Sequence, residues 1–138
     1  MPGRRPEPSA RILRVFRREG SRRRSSPTGE VGRIYRGTGF EVVWVYKLGE
    51  EVDSHWFSQP MVDVLVVLQG RLRVEFARHR SPQVLGPGDV LVLPPGTKCR
   101  AYRWPRSSRR ATIFVAIYPV GAGRERERPR DRVPRSSA

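Results

Sequence analysis

Gly49-Glu50-Glu51-Val52-Asp53-Ser54-His55-Trp56-Phe57 and Gly88-Asp89-Val90-Leu91-Val92-Leu93-Pro94-Pro95-Gly96 are the stretches on which the fold is read. In the first, five residues separate Gly49 from His55, and the alternation of an extended chain puts His55 and Phe57 on one face. In the second, five residues again separate a glycine, Gly88, from the next fixed point, Pro94. Glycine permits the tight corners, and Pro94 ends a strand where the chain must turn. Beyond that turn stand Cys99 and, four residues later, Arg103.

Outward from these stretches the pattern is period two. Phe40, Val42, Trp44 and Tyr46 share one face of a strand, opposite Glu41, Val43, Val45 and Lys47. Leu72, Val74 and Phe76 alternate with Arg71, Arg73 and Glu75, as in a strand with one wet face. Val62 to Leu68 is apolar on both faces apart from Asp63, so it requires cover on both sides, by the opposite sheet and by another element or subunit. Ala111 to Tyr118 is β-branched and apolar, and Pro119 closes it. Gln69-Gly70, Gly86-Pro87-Gly88-Asp89 and Pro94-Pro95-Gly96 supply turns between strands, and no helix is expected within 34–120. Many short strands with regular turns define an all-β sandwich or barrel.

This framework resembles the cupins, and specifically small single-domain cupins. Their first motif runs Gly, five residues, His-x-His, a short loop, a carboxylate and Gly; their second runs Gly, five residues, Pro-x-Gly, two residues, His, three residues, Asn. Gly49, His55, Asp63 and Gly70 follow the first, with Phe57 in place of the second histidine. Gly88, Pro94 and Gly96 follow the second, with Cys99 in place of the histidine and Arg103 in place of the asparagine. The resemblance spans about residues 36–119 and implies a double-stranded β-helix, or jelly-roll, barrel. It further implies that Asp63 and Cys99 converge on the interior point faced by His55 and Phe57. Proteins of this kind often dimerise through packed sheet faces, which makes a homodimer the expected assembly.

The donor set allows two chemistries. Imidazole, carboxylate and thiolate from His55, Asp63 and Cys99 form a plausible three-ligand site, better suited to zinc or copper than to iron. Alternatively Phe57 removes a donor, Cys99 is a packed thiol, and His55, Phe57, Asp63, Cys99 and Arg103 line a metal-free ligand pocket, with Arg103 anchoring an anion. Trp44, Tyr46, Trp56 and Tyr102 fit either an apolar ligand cavity or aromatic core packing. His79 belongs to a polar hairpin tip.

A chain of 138 residues fits one domain. Its net charge of +15 sits unevenly: residues 1–33 hold ten arginines against three glutamates, and 121–138 hold six against three acids. The organisation expected is a disordered Arg-rich segment 1–32, a barrel over 33–120 and a disordered Arg/Glu/Pro tail over 121–138. The single cysteine excludes an intrachain disulfide and suits a reducing compartment, so the cytoplasm is the default. No apolar run is long enough for a bilayer, no secretory core is present, and no membrane association is expected. The arginine runs lack the interleaved aromatics of single-strand platforms, which argues against nucleic acid.

Three functions therefore stand at the level of sequence. The first is a cupin binding a small molecule in its barrel. The second is a metal-dependent cupin enzyme of isomerase or oxygenase type, and the third a cupin module carrying polyanion-binding arginine tails. Whether the chain is an enzyme is left open by its residues.

Overall fold

A computed structural model describes residues 10–26, 28–49, 52, 55–78 and 80–120. A single 3₁₀ turn (Val15–Arg17) precedes nine strands: β1 (Ser21–Ser26), β2 (Gly29–Arg36), β3 (Phe40–Lys47), β4 (Asp63–Gln69), β5 (Arg71–Phe76), β6 (Gln83–Leu85), β7 (Val90–Leu93), β8 (Cys99–Trp104) and β9 (Thr112–Pro119). They form a six-stranded sheet, ordered β1-β2-β3-β9-β4-β7, and a three-stranded sheet, ordered β6-β5-β8. Every pairing is antiparallel.

The two sheets close on one apolar interior. From the larger sheet Val43, Val45, Leu65, Val67, Leu93, Phe114 and Ala116 point inward; from the smaller, Leu72, Val74, Leu85 and Ala101 meet them. The expected alternation holds along β3, whose odd-numbered side chains enter this interior while Trp44 and Tyr46 join a second, outer cluster with Ile113. Turns fall where glycine allows them: Gly70 (φ 73°) joins β4 to β5, and Gly88 (φ 89°) lies in a turn closed by the Gly86 N–H donating to the Asp89 carboxylate at 2.8 Å.

Residues 10–32 depart from the expected disordered leader. They form the 3₁₀ turn, β1 and the start of β2, so the sheet begins at Ser21 and not near residue 33. The cause is the outer face of β3. Trp44 Nε1 donates to the Glu19 carbonyl at 2.7 Å, and the Tyr46 hydroxyl donates to the Val15 carbonyl at 2.6 Å. Arg18 lies 4.6 Å from the Tyr46 ring centre and Arg23 lies 5.9 Å from that of Trp44. Both arginines reach Glu30 at 3.4 Å. Aromatic rings that would otherwise be wet thus gather a polar segment over them, through its carbonyls and its guanidinium groups. Residues 1–9, 121–138 and His79 lie outside the described residues.

At one end of the interior the lining becomes polar. Glu41, 1% exposed, faces inward and is held by Arg33 at 3.0 Å and Arg36 at 3.4 Å. It stands opposite Tyr118 of β9 in the sheet register. Asp63 opens β4 on the other flank of β9, beside Leu93. Two buried carboxylates therefore sit on strands separated only by β9.

Candidate functional site

Phe57 joins the smaller sheet by pairing with Cys99, the first residue of β8. Phe57 N–H donates to the Cys99 carbonyl at 2.7 Å, and Cys99 N–H donates to the Phe57 carbonyl at 2.9 Å. Residues paired in this way project their side chains to the same side. Both are buried, and with Ser58, Gln59, Asp63, Leu93, Pro94 and Thr97 they line a small cavity of about 10 Å³. The Gly96 N–H, donating to the Gln59 carbonyl at 2.9 Å, ties the β7–β8 turn to this wall.

The structure brings together Phe57, Asp63 and Cys99 from the five expected pocket residues. His55 is half-buried but outside the lining of that cavity. Arg103 shares the inward face of β8 with Cys99, as its parity implies, yet it stands opposite Leu72 towards the far end of the strand. There its Nη2 donates to the Arg106 carbonyl at 2.9 Å. A cavity of this volume holds about one water-sized sphere and no organic ligand. Phe57 fills the space that a shorter polar side chain would leave.

The same geometry bears on a metal. Among the described residues, no group of three or more His, Cys, Asp and Glu side chains is arranged to hold one. With Phe57 facing Cys99, the wall offers carbon where a ligand is needed, so the described donors do not fit a metal at these motif positions.

Gln59 was not anticipated from the sequence. It is 6% exposed, and neither its amide nitrogen nor its amide oxygen has a hydrogen-bond partner among the described residues. A glutamine two residues beyond Phe57 shares its strand parity, and that was the signal available.

A second, larger recess adjoins the first through Leu93, Pro94 and Thr97. Its volume is about 410 Å³. Phe76, Leu91 and Leu93 form its apolar floor, while Arg78, Arg80 and Lys98 stand around it; no Asp or Glu is among its described lining residues. Arg80 lies 6.0 Å from the Phe76 ring centre. The Ala77 N–H donates to the Lys98 carbonyl at 3.0 Å, extending the β5–β8 ladder and fixing two sides of the recess relative to one another.

Trp44, Tyr46, Trp56 and Tyr102 line neither of these two cavities. Trp44 and Tyr46 pack beneath the N-terminal segment. Trp56 is exposed with Arg100 stacked at 4.6 Å, and Arg73 stacks on Trp104 at 4.5 Å. Glu75 accepts hydrogen bonds from the Tyr102 hydroxyl (2.6 Å) and Arg100 Nε (2.8 Å). The Tyr102 hydrogen bond, followed by the bond and charge of Arg100, holds the Glu75 carboxyl below its ordinary range against the opposing effect of burial. Burial and then the bond to Glu75 push the Tyr102 phenol up.

Compared by sequence, no family model and no curated protein matches the chain. Compared by structure, it is similar to a double-stranded β-helix domain protein from Klebsiella pneumoniae, with TM-score 0.66 and 20% identity, covering 83% of this chain and 95% of that one. A cupin 2 conserved barrel protein from Salinispora arenicola gives TM-score 0.62 at 16% identity, over 80% of this chain and 89% of the other. An RmlC-like cupin from Shewanella frigidimarina gives 0.56 at 15%, over 70% and 81%. The chain has the cupin fold, a double-stranded β-helix. Among the described residues no helix is long and apolar enough to cross a membrane.

Proposed function

We propose that this cupin-fold protein binds a small organic anion in the recess of about 410 Å³, without a metal at the motif positions. The observation that carries the reading is an apolar floor ringed by three cations with no described acid beside them. The volume falls in the ordinary range of small-molecule sites, roughly 300–1,000 Å³. Phe76, Leu91 and Leu93 take the carbon skeleton, and Arg78, Arg80 and Lys98 hold a carboxylate or phosphate. The motif residues then act as the floor's support: Phe57 closes the interior so that the ligand stays at the mouth.

The test is a thermal-shift and calorimetric comparison of aromatic carboxylates and sugar phosphates with their neutral amide or dephosphorylated counterparts. At least one anion raises the melting temperature while its neutral counterpart does not. Lys98→Ala and Arg80→Ala each weaken that binding by about tenfold. Equal binding of the neutral counterpart, or undiminished binding by the double variant, overturns the proposal. One tightly held metal per chain in untagged protein overturns its metal-free part.

A further inference from the structure

The outer face of the smaller sheet interleaves arginine with aromatic rings. Arg100, Tyr102 and Trp104 of β8 point away from the interior, because Cys99 and Ala101 between them lie in the core. Beside them on β5 the outward positions are Glu75, Arg73 and Arg71. Trp56 completes the set, since the Phe57–Cys99 bridge sets it next to Arg100. The Arg100 guanidinium lies 4.6 Å from the Trp56 ring centre, and that of Arg73 lies 4.5 Å from the Trp104 ring centre. Trp104 in turn meets Tyr102 edge to face at 6.2 Å. These residues come from three separate segments. The alternation of charge and ring that runs such as Arg22-Arg23-Arg24 lack along the chain is produced here by strand pairing.

We infer that this face is a stacking platform for single-stranded nucleic acid. Bases lie on Trp56, Trp104 and the guanidinium planes, and phosphates meet the flanking arginines. Charge complementarity selects a polyanion: among the described outward positions of β5 and β8, Glu75 is the one acid against Arg71, Arg73 and Arg100. Arg106, Arg109 and Arg110 stand exposed on the connection that follows β8, extending the same sign. The rings then select among polyanions. Trp56 is 42% exposed and Trp104 half-buried, so both keep surface for a flat partner, which an acidic peptide does not supply along its length. From Arg100 to Trp104 the strand runs about 13 Å, a span for consecutive bases and too long for one small ring system. A duplex keeps its bases inside its own stack and offers this face only phosphates. The platform is also preorganised. Glu75 accepts from Arg100 Nε at 2.8 Å and from the Tyr102 hydroxyl at 2.6 Å, which holds the Arg100 plane before any ligand arrives.

The experiment is fluorescence anisotropy of a labelled oligothymidylate of about twelve nucleotides, titrated with the full chain and compared with an abasic strand of equal length. The oligothymidylate binds and quenches tryptophan emission, and the abasic strand binds at least about tenfold more weakly. Trp56→Ala and Trp104→Ala each weaken binding of the oligothymidylate about tenfold and leave that of the abasic strand unchanged. Phe16→Ala, which removes an exposed ring from the arginine-rich N-terminal segment, changes neither. Should Trp104→Ala lose its near-ultraviolet dichroism, Trp56→Ala, at an exposed position, makes the same test alone. Absence of binding, equal binding of the abasic strand or of a duplex, displacement by polyglutamate as effective as by unlabelled oligothymidylate, or indifference to Trp56→Ala overturns the inference. Equal binding of the abasic strand assigns the contact to arginine charge alone. Neither tryptophan borders the proposed ligand recess, so this result and the small-anion test stand or fall separately.

Discussion

Phe57 and Cys99 exchange both of their backbone hydrogen bonds, at 2.7 and 2.9 Å, and so stand side by side on the inner wall of the barrel. These are two positions where the resemblance to cupins places histidines. The register that would bring two imidazoles together is therefore intact, while the side chains are a phenyl ring and a thiol. Backbone geometry and ligand chemistry have separated here. Strand pairing depends on peptide groups and on apolar burial, both of which survive replacement of the metal donors.

Phe57→His restores a donor beside Cys99, with Asp63 on the same cavity wall. The variant is expected to bind Co²⁺ with a thiolate-to-cobalt charge-transfer band in the near ultraviolet, which the parent protein lacks. Without metal it loses roughly 1–3 kcal/mol, because an imidazole replaces a buried ring. Added Co²⁺ recovers part of that loss in urea melts. Absence of the band at saturating cobalt means that Asp63 and Cys99 cannot share an ion with residue 57.

Glu41 is buried between Arg33 and Arg36, and its removal leaves two half-buried guanidinium groups facing an apolar interior. Glu41→Ala is expected to cost about 3–5 kcal/mol in urea unfolding. A double-mutant cycle with Arg33→Ala gives a coupling energy clearly above the roughly 0–1 kcal/mol of an exposed pair. A coupling near zero means that the cluster is set by packing and not by charge.

The barrel was legible because its signals are local. Glycine and proline fix the corners, and apolar alternation in β3, β5 and β9 fixes the faces. The N-terminal strands were not, since Ser21-Arg22-Arg23-Arg24-Ser25-Ser26 has no apolar alternation. Its place in the sheet comes from partners remote in sequence, Trp44 and Tyr46, whose polar tips capture the carbonyls of Glu19 and Val15. The motif positions were legible as a cluster for Phe57, Asp63 and Cys99, but their spacing carries no measure of volume. That the space between them shrinks to about 10 Å³, and that a wider recess opens beside Phe76 and Lys98, depends on three separate segments meeting.

Glu75 and Tyr102 make stability depend on pH at both extremes. Glu75 has a folded-state pKa below the ordinary 4.5, so its contribution is complete above that value and is lost as pH falls through the lowered pKa. Tyr102 is raised above the ordinary 10.0, so its contribution is complete below pH 10.0 and is lost as pH rises through the raised pKa. The pair lies on a partly wet face, and each limb is worth less than about 1 kcal/mol. In chemical denaturation against pH, Glu75→Gln flattens the acid limb and Tyr102→Phe flattens the alkaline one. Unchanged limbs in both variants assign the pH dependence to other groups.

Gly32 pairs with Trp44 across β2 and β3, and the indole lies directly over its Cα, where an added Cβ would overlap the ring. The ring is restrained, because its Nε1 donates to the Glu19 carbonyl at 2.7 Å and Arg23 lies 5.9 Å from its centre. Gly32→Ala is therefore expected to cost about 2–3 kcal/mol by overpacking, although alanine favours a strand over glycine. Displacement of Trp44 also releases the N-terminal segment, which shows as faster trypsin cleavage among Arg14, Arg17 and Arg18. Gly39→Ala is the control, since nothing lies within 4 Å of a Cβ built there. Pairing Gly32→Ala with Trp44→Phe recovers part of the loss by making room for the methyl group. If Gly32→Ala instead melts with the parent protein, the N-terminal segment is not clamped through Trp44, and the cover over the outer sheet face must be held by Tyr46 and Arg18 alone.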